Sequence, residues 1–429
     1  MPVENLGRAD IITRGMKVSA LGGLGSRFGS VGLAFAGPEY RAYAIGNLVS
    51  LVGTWLQRVA VGWLAWELTR SGFWLGLIAA ADLVPTVFLS PFAGALADRR
   101  DKLRVIRATQ VAATLQSVLL AALTWMGAMT IELLFLLTVT LGIVNAINQP
   151  ARLALIPNLV GKEALPSAVA INSITFNIAR FIGPALAGAI IAGPGTAAAF
   201  AVNAASFLVF LAALRWVEPG RGRPEPGTAA PRTLIEASLD GYRYALHHDL
   251  IGLALIVTVA SSVFGRPVVE LLPGFADAVF GRGVQAFAWL TAVVGLGAIA
   301  GGLWMLEQPP PGRAVRRLVA FLLVLAASLL AFTATRQYWI ALPSLFAVGF
   351  GLVVTGIGAQ TLIQIEVEPA MRGRVMSIYG MIIRGGPALG ATVMGGASEG
   401  LGLRLPVALG ALLCIAAWLW ARSRMVGET

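Results

Sequence analysis

Long apolar stretches alternate with short polar breaks along most of the chain. A bilayer core of roughly 30 Å needs about 20 apolar helical residues, and twelve stretches come close to that length or exceed it. The predicted spans are 41–66, 74–97, 103–125, 129–150, 166–192, 196–216, 249–272, 285–306, 315–334, 338–364, 375–397 and 405–421. We therefore predict an all-α integral membrane protein.

The longest polar break, rich in Pro, Gly and Arg, follows the sixth predicted span. This composition is typical of a linker, and it divides the chain into six plus six spans. The predicted parts are an N-terminal tail (1–38), an N-terminal six-helix bundle (39–217), a central linker (218–248), a C-terminal six-helix bundle (249–424) and a C-terminal tail (425–429). The true start, Met1 or Met16, stays open.

Composition narrows the classes of function. Hydrophobic residues make up 57% of the 429 residues and charged residues 12%, against about 25% charged residues in soluble domains. A soluble enzyme and a nucleic-acid-binding protein are therefore excluded for the whole chain. The net charge of +11 has a topological explanation, because 24 of the 32 Lys and Arg residues fall on the inner side if both termini are cytoplasmic. Only four fall outside and four within spans, which is a strong positive-inside bias.

The sequence lacks the residues that several kinds of chemistry require. The lone Cys414 cannot form a disulfide within the chain, and the adjacent His247 and His248 have no partners for a zinc site. No phosphate-binding Gly-x-x-x-x-Gly-Lys-Ser/Thr loop occurs. We therefore expect no metal, no cofactor, no direct use of ATP and no enzymatic activity.

The two predicted halves share a repeated pattern. Ser173 precedes Arg180 by seven residues, and Gly183-Pro184-Ala185-Leu186 follows. Ser377 precedes Arg384 by the same spacing, and the four residues 386–389 again read Gly-Pro-Ala-Leu. Parallel six-helix repeats are typical of transporters in which two bundles rock against each other.

A sequence motif lies between the second and third predicted spans. The run Gly94-Ala95-Leu96-Ala97-Asp98-Arg99 resembles the Gly-x-Leu-x-Asp-Arg loop of the major facilitator superfamily. The resemblance implies that Gly94, Asp98 and Arg99 form a cytoplasmic gate, with Asp98 near the N-terminus of helix 11, where the helix dipole favours a carboxylate. A charged turn that only sets the topology is the alternative.

A second motif, Gly183-Pro184-Ala185-Leu186-Ala187-Gly188, resembles the Gly-Pro element of antiporters in this superfamily, although it also suits plain helix packing. Residues 46–55, 148–152 and 266–273 are similar to a bacterial exporter branch that includes the enterobactin exporter and macrolide efflux proteins of the drug:proton antiporter type. The resemblance implies the major facilitator fold, a bacterial inner-membrane location, and export of a small amphipathic molecule.

Charges within predicted spans are the candidates for mechanism, because ionisable groups at membrane depth are costly and usually functional. Asp82 is the preferred proton carrier, and we predict that it pairs with Arg384 in one state and separates from it in another. Glu270 and Arg266, at i and i+4 near the outer end of span 7, could pair with each other. They are the second proton-site candidates, or they form an outer gate. Arg58 and Arg180 are the remaining charges, and a purely structural role for Asp82 stays open.

Polar residues in spans 1, 4 and 10 are candidates for a wet cavity, since helices 1, 4, 7 and 10 line the cavity in the superfamily that the chain resembles. The candidates are Asn47, Ser50, Thr54, Asn145, Asn148, Gln149, Gln360 and Gln364.

The sequence therefore predicts a monomeric secondary exporter that works by alternating access and is coupled to protons. Its partners are a small-molecule substrate (a drug, a macrolide or a siderophore-like compound), protons and the lipid bilayer, and no nucleic acid. The alternatives are an uncoupled facilitator or lipid flippase on the same fold, and a membrane-embedded enzyme or assembly factor.

Overall fold

The computed structural model describes residues 35, 37–161, 163–218, 242–245, 247–305, 311–369 and 371–426, with only the backbone for 90–99, 181, 311, 312 and 426. Twelve long helical segments follow one another in this described part of the chain. They are α1 Pro38–Thr69, α2 Gly72–Arg99, α3 Lys102–Trp125, α4 Ile131–Leu159, α5 Leu165–Ala192, α6 Thr196–Ala213, α7 Asp249–Val279, α8 Gly283–Trp304, α9 Pro311–Ala334, α10 Tyr338–Glu366, α11 Arg372–Leu401 and α12 Arg404–Val426.

Eleven of these described helices are long and apolar enough to cross a membrane. The exception is α11, which covers the predicted span 375–397 and is 30 residues long. It carries Arg372, Arg374, Arg384 and Glu399, so its length suits a span whereas its polarity does not. Most of the predicted N-terminal tail and most of the central linker lie outside the described residues, as do Met1, Met16 and Lys162.

Local sequence signals explain several helix ends. The Asp101 carboxylate caps α3, because its Oδ1 accepts from the backbone N–H groups of Leu103 at 2.9 Å and Arg104 at 3.2 Å. Helix α1 begins at Pro38, where a proline needs no N–H partner. It ends at Thr69, and the next residue, Arg70, has a left-handed backbone (φ 52°) and donates its N–H to the carbonyl of Trp66 at 2.8 Å.

The helices pack in two groups of six. In the first group, α1 packs against α5 and α6, α2 against α4, and α3 against α6; in the second, α10 packs against α8 and α9, and α9 against α12. The pairs α2–α11 and α5–α8 join the groups. We call the end where α1 meets α2 the outer end, following the predicted orientation, and the opposite end the inner end.

Small residues permit close contact at the outer end. A Cβ added at Gly76 on α2 would collide with the backbone carbonyl of Ala391 on α11, and one at Gly188 on α5 would collide with Ala288 on α8. Close backbone approach at small residues is how membrane helices gain packing energy. The two groups are therefore held together near the outer end.

Helix α4 extends past its predicted end. The sequence predicts the fourth span over 129–150 and places Arg152 in an inner loop, but α4 continues to Leu159 through Pro150 and Pro157. The assignment of Arg152 to a loop is therefore wrong: proline is tolerated inside a membrane helix when neighbouring groups satisfy the freed backbone carbonyls.

Candidate functional site

One guanidinium lies at the centre of the charged residues within the predicted spans. Arg58 on α1 contacts Asp82 on α2 (Nη1–Oδ2, 3.5 Å) and Glu270 on α7 (Nη2–Oε1, 3.3 Å). The three side chains are 25%, 21% and 17% exposed, respectively. Since α1 and α2 belong to the first group of helices and α7 to the second, Arg58 forms an ionic link between the groups.

This arrangement differs from both predicted pairings. Among the described side chains Asp82 pairs with Arg58, and no ion pair joins it to Arg384, although both line the same cavity. Glu270 likewise pairs with Arg58 and not with its sequence neighbour Arg266. The backbone between the two residues is not a regular α-helix, since the N–H groups of Val269 and Glu270 bond to carbonyls only three residues back. The i,i+4 geometry that the sequence suggests is therefore not kept.

Helix α7 contains two π-helical segments, Ala260–Gly265 and Phe275–Val279. Single π turns inside α-helices are rare and occur often at functional sites. They lie on either side of Arg266 and Glu270, and both of these residues line the cavities described below. The two charged side chains of α7 thus lie between two π-helical segments.

An aromatic ring lies beside two arginines. The guanidinium carbon of Arg58 is 5.4 Å from the centre of the Trp55 ring, and that of Arg180 on α5 is 5.8 Å from it. Phe176 packs edge-to-face on the same ring, with 5.9 Å between centroids. Cations within about 6 Å of an indole face are attracted by its quadrupole, so Trp55 holds both guanidinium groups near the centre of the site.

Two cavities of about 740 and 610 Å³ meet at this charged cluster. Both are lined by Trp55, Arg58, Arg180, Arg266 and Glu270. The first cavity extends between α5, α7, α8 and α10 and has mainly aliphatic walls. The second extends between α1, α2, α3 and α4 and has many amide and hydroxyl groups. An amphipathic ligand fits this division, because one cavity offers apolar walls and the other offers polar groups, and cavities of several hundred Å³ suit drug-sized molecules.

The structure brings most of the predicted polar residues to the second cavity. Its lining includes Asn47, Thr54, Asn145, Asn148 and Gln149. It also includes all six charges predicted within spans, namely Arg58, Asp82, Arg180, Arg266, Glu270 and Arg384.

Three predicted lining residues lie elsewhere. Ser50 is buried behind the cavity and accepts from Arg152 Nη2 at 3.4 Å. Gln360 and Gln364 line neither of these two cavities, and α10 contributes small and aliphatic residues from the stretch 349–357 instead. Span 10 thus supplies apolar surface where the sequence predicts polar surface.

The antiporter-like motif has two separate packing roles. Gly183 lies against Trp55 and Val52 of α1, within its own group of helices, whereas Gly188 lies against α8 of the other group. Pro184 is buried in α5 and lines the first cavity.

The predicted gate residues Gly94, Asp98 and Arg99 lie in the last turns of α2. Their side chains lie outside the described residues, so their predicted contacts stay predictions.

Sequence reasoning missed Arg152 as a site residue. Its guanidinium donates to Asn47 Oδ1 at 2.8 Å and Gln110 Oε1 at 3.0 Å, and it lies 4.5 Å from the Phe210 ring centre. It also lines the second cavity. The signal was present, since Arg152 is followed at once by the apolar run Leu153-Ala154-Leu155-Ile156.

A buried amide network next to the cavity was also missed. Gln57 Nε2 donates to Gln116 Oε1 at 3.0 Å, while Gln57 Oε1 accepts from Ser117 Oγ and Asn203 Nδ2, both at 2.7 Å. Buried polar groups are costly unless they are paired. This network therefore fixes the orientation of α1 relative to α3 and α6.

The outer end has its own polar contacts between the two groups of helices. Asp277 on α7 accepts from Trp66 Nε1 at 3.0 Å and forms an ion pair with Arg70 at the end of α1. Glu399 on α11 accepts from Ser71 Oγ at 2.7 Å. None of these acidic residues stands out in sequence, because their partners are more than 200 residues away.

Comparisons with known proteins were consistent across the chain. A family model described as "Transmembrane secretion effector" matches residues 33–427. The chain is 26% identical to the enterobactin exporter EntS of Escherichia coli O1:K1 over 369 residues, which cover 84% of this chain and 85% of that protein. It is 33% identical to the staphyloferrin A transporter of Staphylococcus aureus over 147 residues, a match that spans 34% of this chain and only 37% of the relative.

Solved structures share the fold. A bacterial homologue of the human lysosomal transporter Spinster, in an inward-facing conformation, aligns with a TM-score of 0.68 at 16% identity and covers 90% of this chain and 97% of that chain. The nucleoside transporter NupG aligns with a TM-score of 0.67 at 14% identity, covering 89% and 98%.

Proposed function

The chain belongs to the transmembrane secretion effector family of the major facilitator superfamily, and from this premise we propose that it exports a small amphipathic, siderophore-like molecule by proton antiport. The family and the all-α major facilitator fold confirm the resemblance predicted from the sequence. Two relatives named for siderophores support the substrate class. We propose that the chain works as a monomer in the bacterial inner membrane, with both termini cytoplasmic.

The observation that carries the proposal is the ionic link made by Arg58. Its guanidinium is shared between Asp82 in the first group of helices and Glu270 in the second. A proton on Glu270 cancels the charge that attracts Arg58, so the link between the groups weakens. A proton on Asp82 weakens the link within the first group, which leaves Arg58 free to turn toward Glu270.

Such a shared cation connects proton binding to the relative position of the two groups. In the present arrangement the outer end is held by Gly76, Gly188 and the contacts of Asp277, while the cavities extend toward Arg152 and Leu303 near the inner ends of α4 and α8. We propose that this is the inward-facing half of an alternating-access cycle. Asp82 then exchanges Arg58 for Arg384 in the opposite state.

The cytoplasmic gate belongs to the same cycle. We propose that Asp98, supported by Gly94 and Arg99, closes the inner end against α11 when the outer end opens. Pro184 and Gly188 on α5 form part of the surface along which the two groups move, since Gly188 already contacts α8.

The test is efflux from proteoliposomes loaded with enterobactin or staphyloferrin A, the compounds in the relatives' names, under an imposed pH gradient. We expect the gradient to accelerate efflux, and Asp82→Asn and Glu270→Gln each to abolish that acceleration. Glu67→Gln, an exposed acidic position on α1, is the matched control and should behave like the unmodified protein. Efflux that ignores the gradient would contradict proton antiport and favour the uncoupled facilitator or flippase.

A second measurement examines the proposed exchange of partners. If Asp82 pairs with Arg384 in the opposite state, Asp82→Asn combined with Arg384→Gln should transport better than the worse single variant. If the double variant transports no better than that single variant, Arg384 is not a partner of Asp82 in the cycle.

A further inference from the structure

The two cavities carry more positive than negative charge. Among the side chains that the structure describes, their linings contain five arginines and two carboxylates, Asp82 and Glu270, a difference of three charges. Both carboxylates are already paired with Arg58. The arginines that line the cavities are Arg58, Arg152, Arg180, Arg266 and Arg384.

Arg180 and Arg266 are the two arginines that line both cavities without forming an ion pair in the described part of the chain. The negative charge that acts on them is that of Glu270, which is already paired with Arg58. The two arginines lie on α5 and α7, in different groups of helices. In the part of the chain that the structure describes, no carboxylate oxygen lies within 4.0 Å of either guanidinium. Arg152 differs from them, because its guanidinium is held by the amide oxygens of Asn47 and Gln110.

Unpaired charge at membrane depth is expensive, so an anion that enters the cavities gains from both arginines at once. The guanidinium fork matches a carboxylate with two parallel hydrogen bonds. The Trp55 ring beside Arg180 offers a face for an aromatic group, and the aliphatic wall of the first cavity suits the body of the same molecule.

We propose that Arg180 and Arg266 form an anion-binding pair, and that the substrate is an amphipathic molecule with at least two acidic groups. The guanidinium of Arg180 on α5 and that of Arg266 on α7 lie on opposite sides of the interface between the two groups of helices. The substrate assignment rests on the proposed export function, whereas binding of the anion does not depend on coupling to protons.

Calorimetric titration of the purified full chain in lipid nanodiscs tests the pair. The probes are naphthalene-2,6-dicarboxylate and its uncharged diamide, which share one apolar body. We expect the dicarboxylate to bind at least tenfold more tightly than the diamide. Arg180→Gln and Arg266→Gln should each weaken dicarboxylate binding at least fivefold and leave diamide binding unchanged, whereas Arg316→Gln, exposed near the start of α9, should change neither.

Conservative variants guard against misfolding. Arg180→Lys and Arg266→Lys keep the charge but lose the fork, so each should retain dicarboxylate binding between that of the unmodified protein and that of the Gln variant. Equal binding of the two probes overturns the proposal, as does undetectable dicarboxylate binding or dicarboxylate binding unaffected by both Gln substitutions.

The two proposals fail separately. Gradient-driven efflux of a siderophore without selective dicarboxylate binding removes the anion site and keeps the export function. Selective dicarboxylate binding without gradient-driven efflux keeps the anion site and removes the proton-coupled export function.

Discussion

Replacing Arg58 by Gln removes the one cation that two carboxylates share. Asp82 and Glu270 lie 3.5 and 3.3 Å from it, and water reaches only about a fifth of each acidic side chain. Removing one partner of a buried ion pair costs roughly 3–5 kcal/mol, because the other charge is left without compensation. Some water does reach these carboxylates, so we expect Arg58→Gln to lower the free energy of unfolding by about 3 kcal/mol.

The neutral triple variant separates this cause from lost packing. In Arg58→Gln/Asp82→Asn/Glu270→Gln none of the three positions carries a charge, and replacing a whole buried pair is often close to neutral. We therefore expect the triple variant to recover most of the stability that Arg58→Gln loses. Arg180→Gln is the matched control, because Arg180 lies beside the same Trp55 ring but has no carboxylate within ion-pair distance in the described part of the chain.

The assay is reversible unfolding in mixed dodecyl maltoside and SDS micelles, followed by the fluorescence of the eleven tryptophans. Double-variant cycles between Arg58 and each acid should give coupling energies of about 1–3 kcal/mol. The reasoning is refuted if the triple variant is as unstable as Arg58→Gln, or if Arg180→Gln costs as much as Arg58→Gln.

Two further predictions concern the outer end. Both use a Thr291→Cys variant, whose cysteine lies in the first cavity, and measure the rate at which an impermeant maleimide added outside modifies it. The native Cys414 is buried. Asp277→Asn weakens the ion pair and hydrogen bond to α1, so modification should accelerate several-fold, whereas Glu67→Gln on the same end of α1 should not change it. Gly76→Ala places a methyl group against the α11 backbone and should accelerate it too, whereas Gly380→Ala, with no atom within 4 Å of the added Cβ, should not. Unchanged rates in Asp277→Asn and Gly76→Ala would mean that these contacts do not hold the outer end closed.

The sequence predicts the helices well because the hydropathy of a segment depends only on the residues of that segment. The clearest discrepancy is the end of α4, predicted at 150 and observed at Leu159. In the sequence alone, Pro150 and Arg152 indicate the start of an inner loop. In three dimensions the arginine is satisfied by Asn47, on another helix, which no pattern within α4 reveals.

The charged site is only partly accessible to such reasoning. Counting charges within spans singles out all six residues that the structure brings to one cavity. It does not predict their pairing, because Arg58, Asp82 and Glu270 lie on three different helices and meet only through helix packing.

Helix α1 is linked to α7 at two levels, and the spacing of the levels constrains any switch. Arg58 contacts Glu270 beside the cavities, and Trp66 contacts Asp277 at the outer end. Eight residues separate the two positions on α1 and seven on α7, so the levels lie roughly 10–12 Å apart at 1.5 Å per residue. Protonation of Glu270 weakens only the contact beside the cavities, between Arg58 and Glu270. The outer end opens only if the rocking of α7 also breaks the Asp277 contacts, which couples the charge change at the cavity to movement at the outer surface.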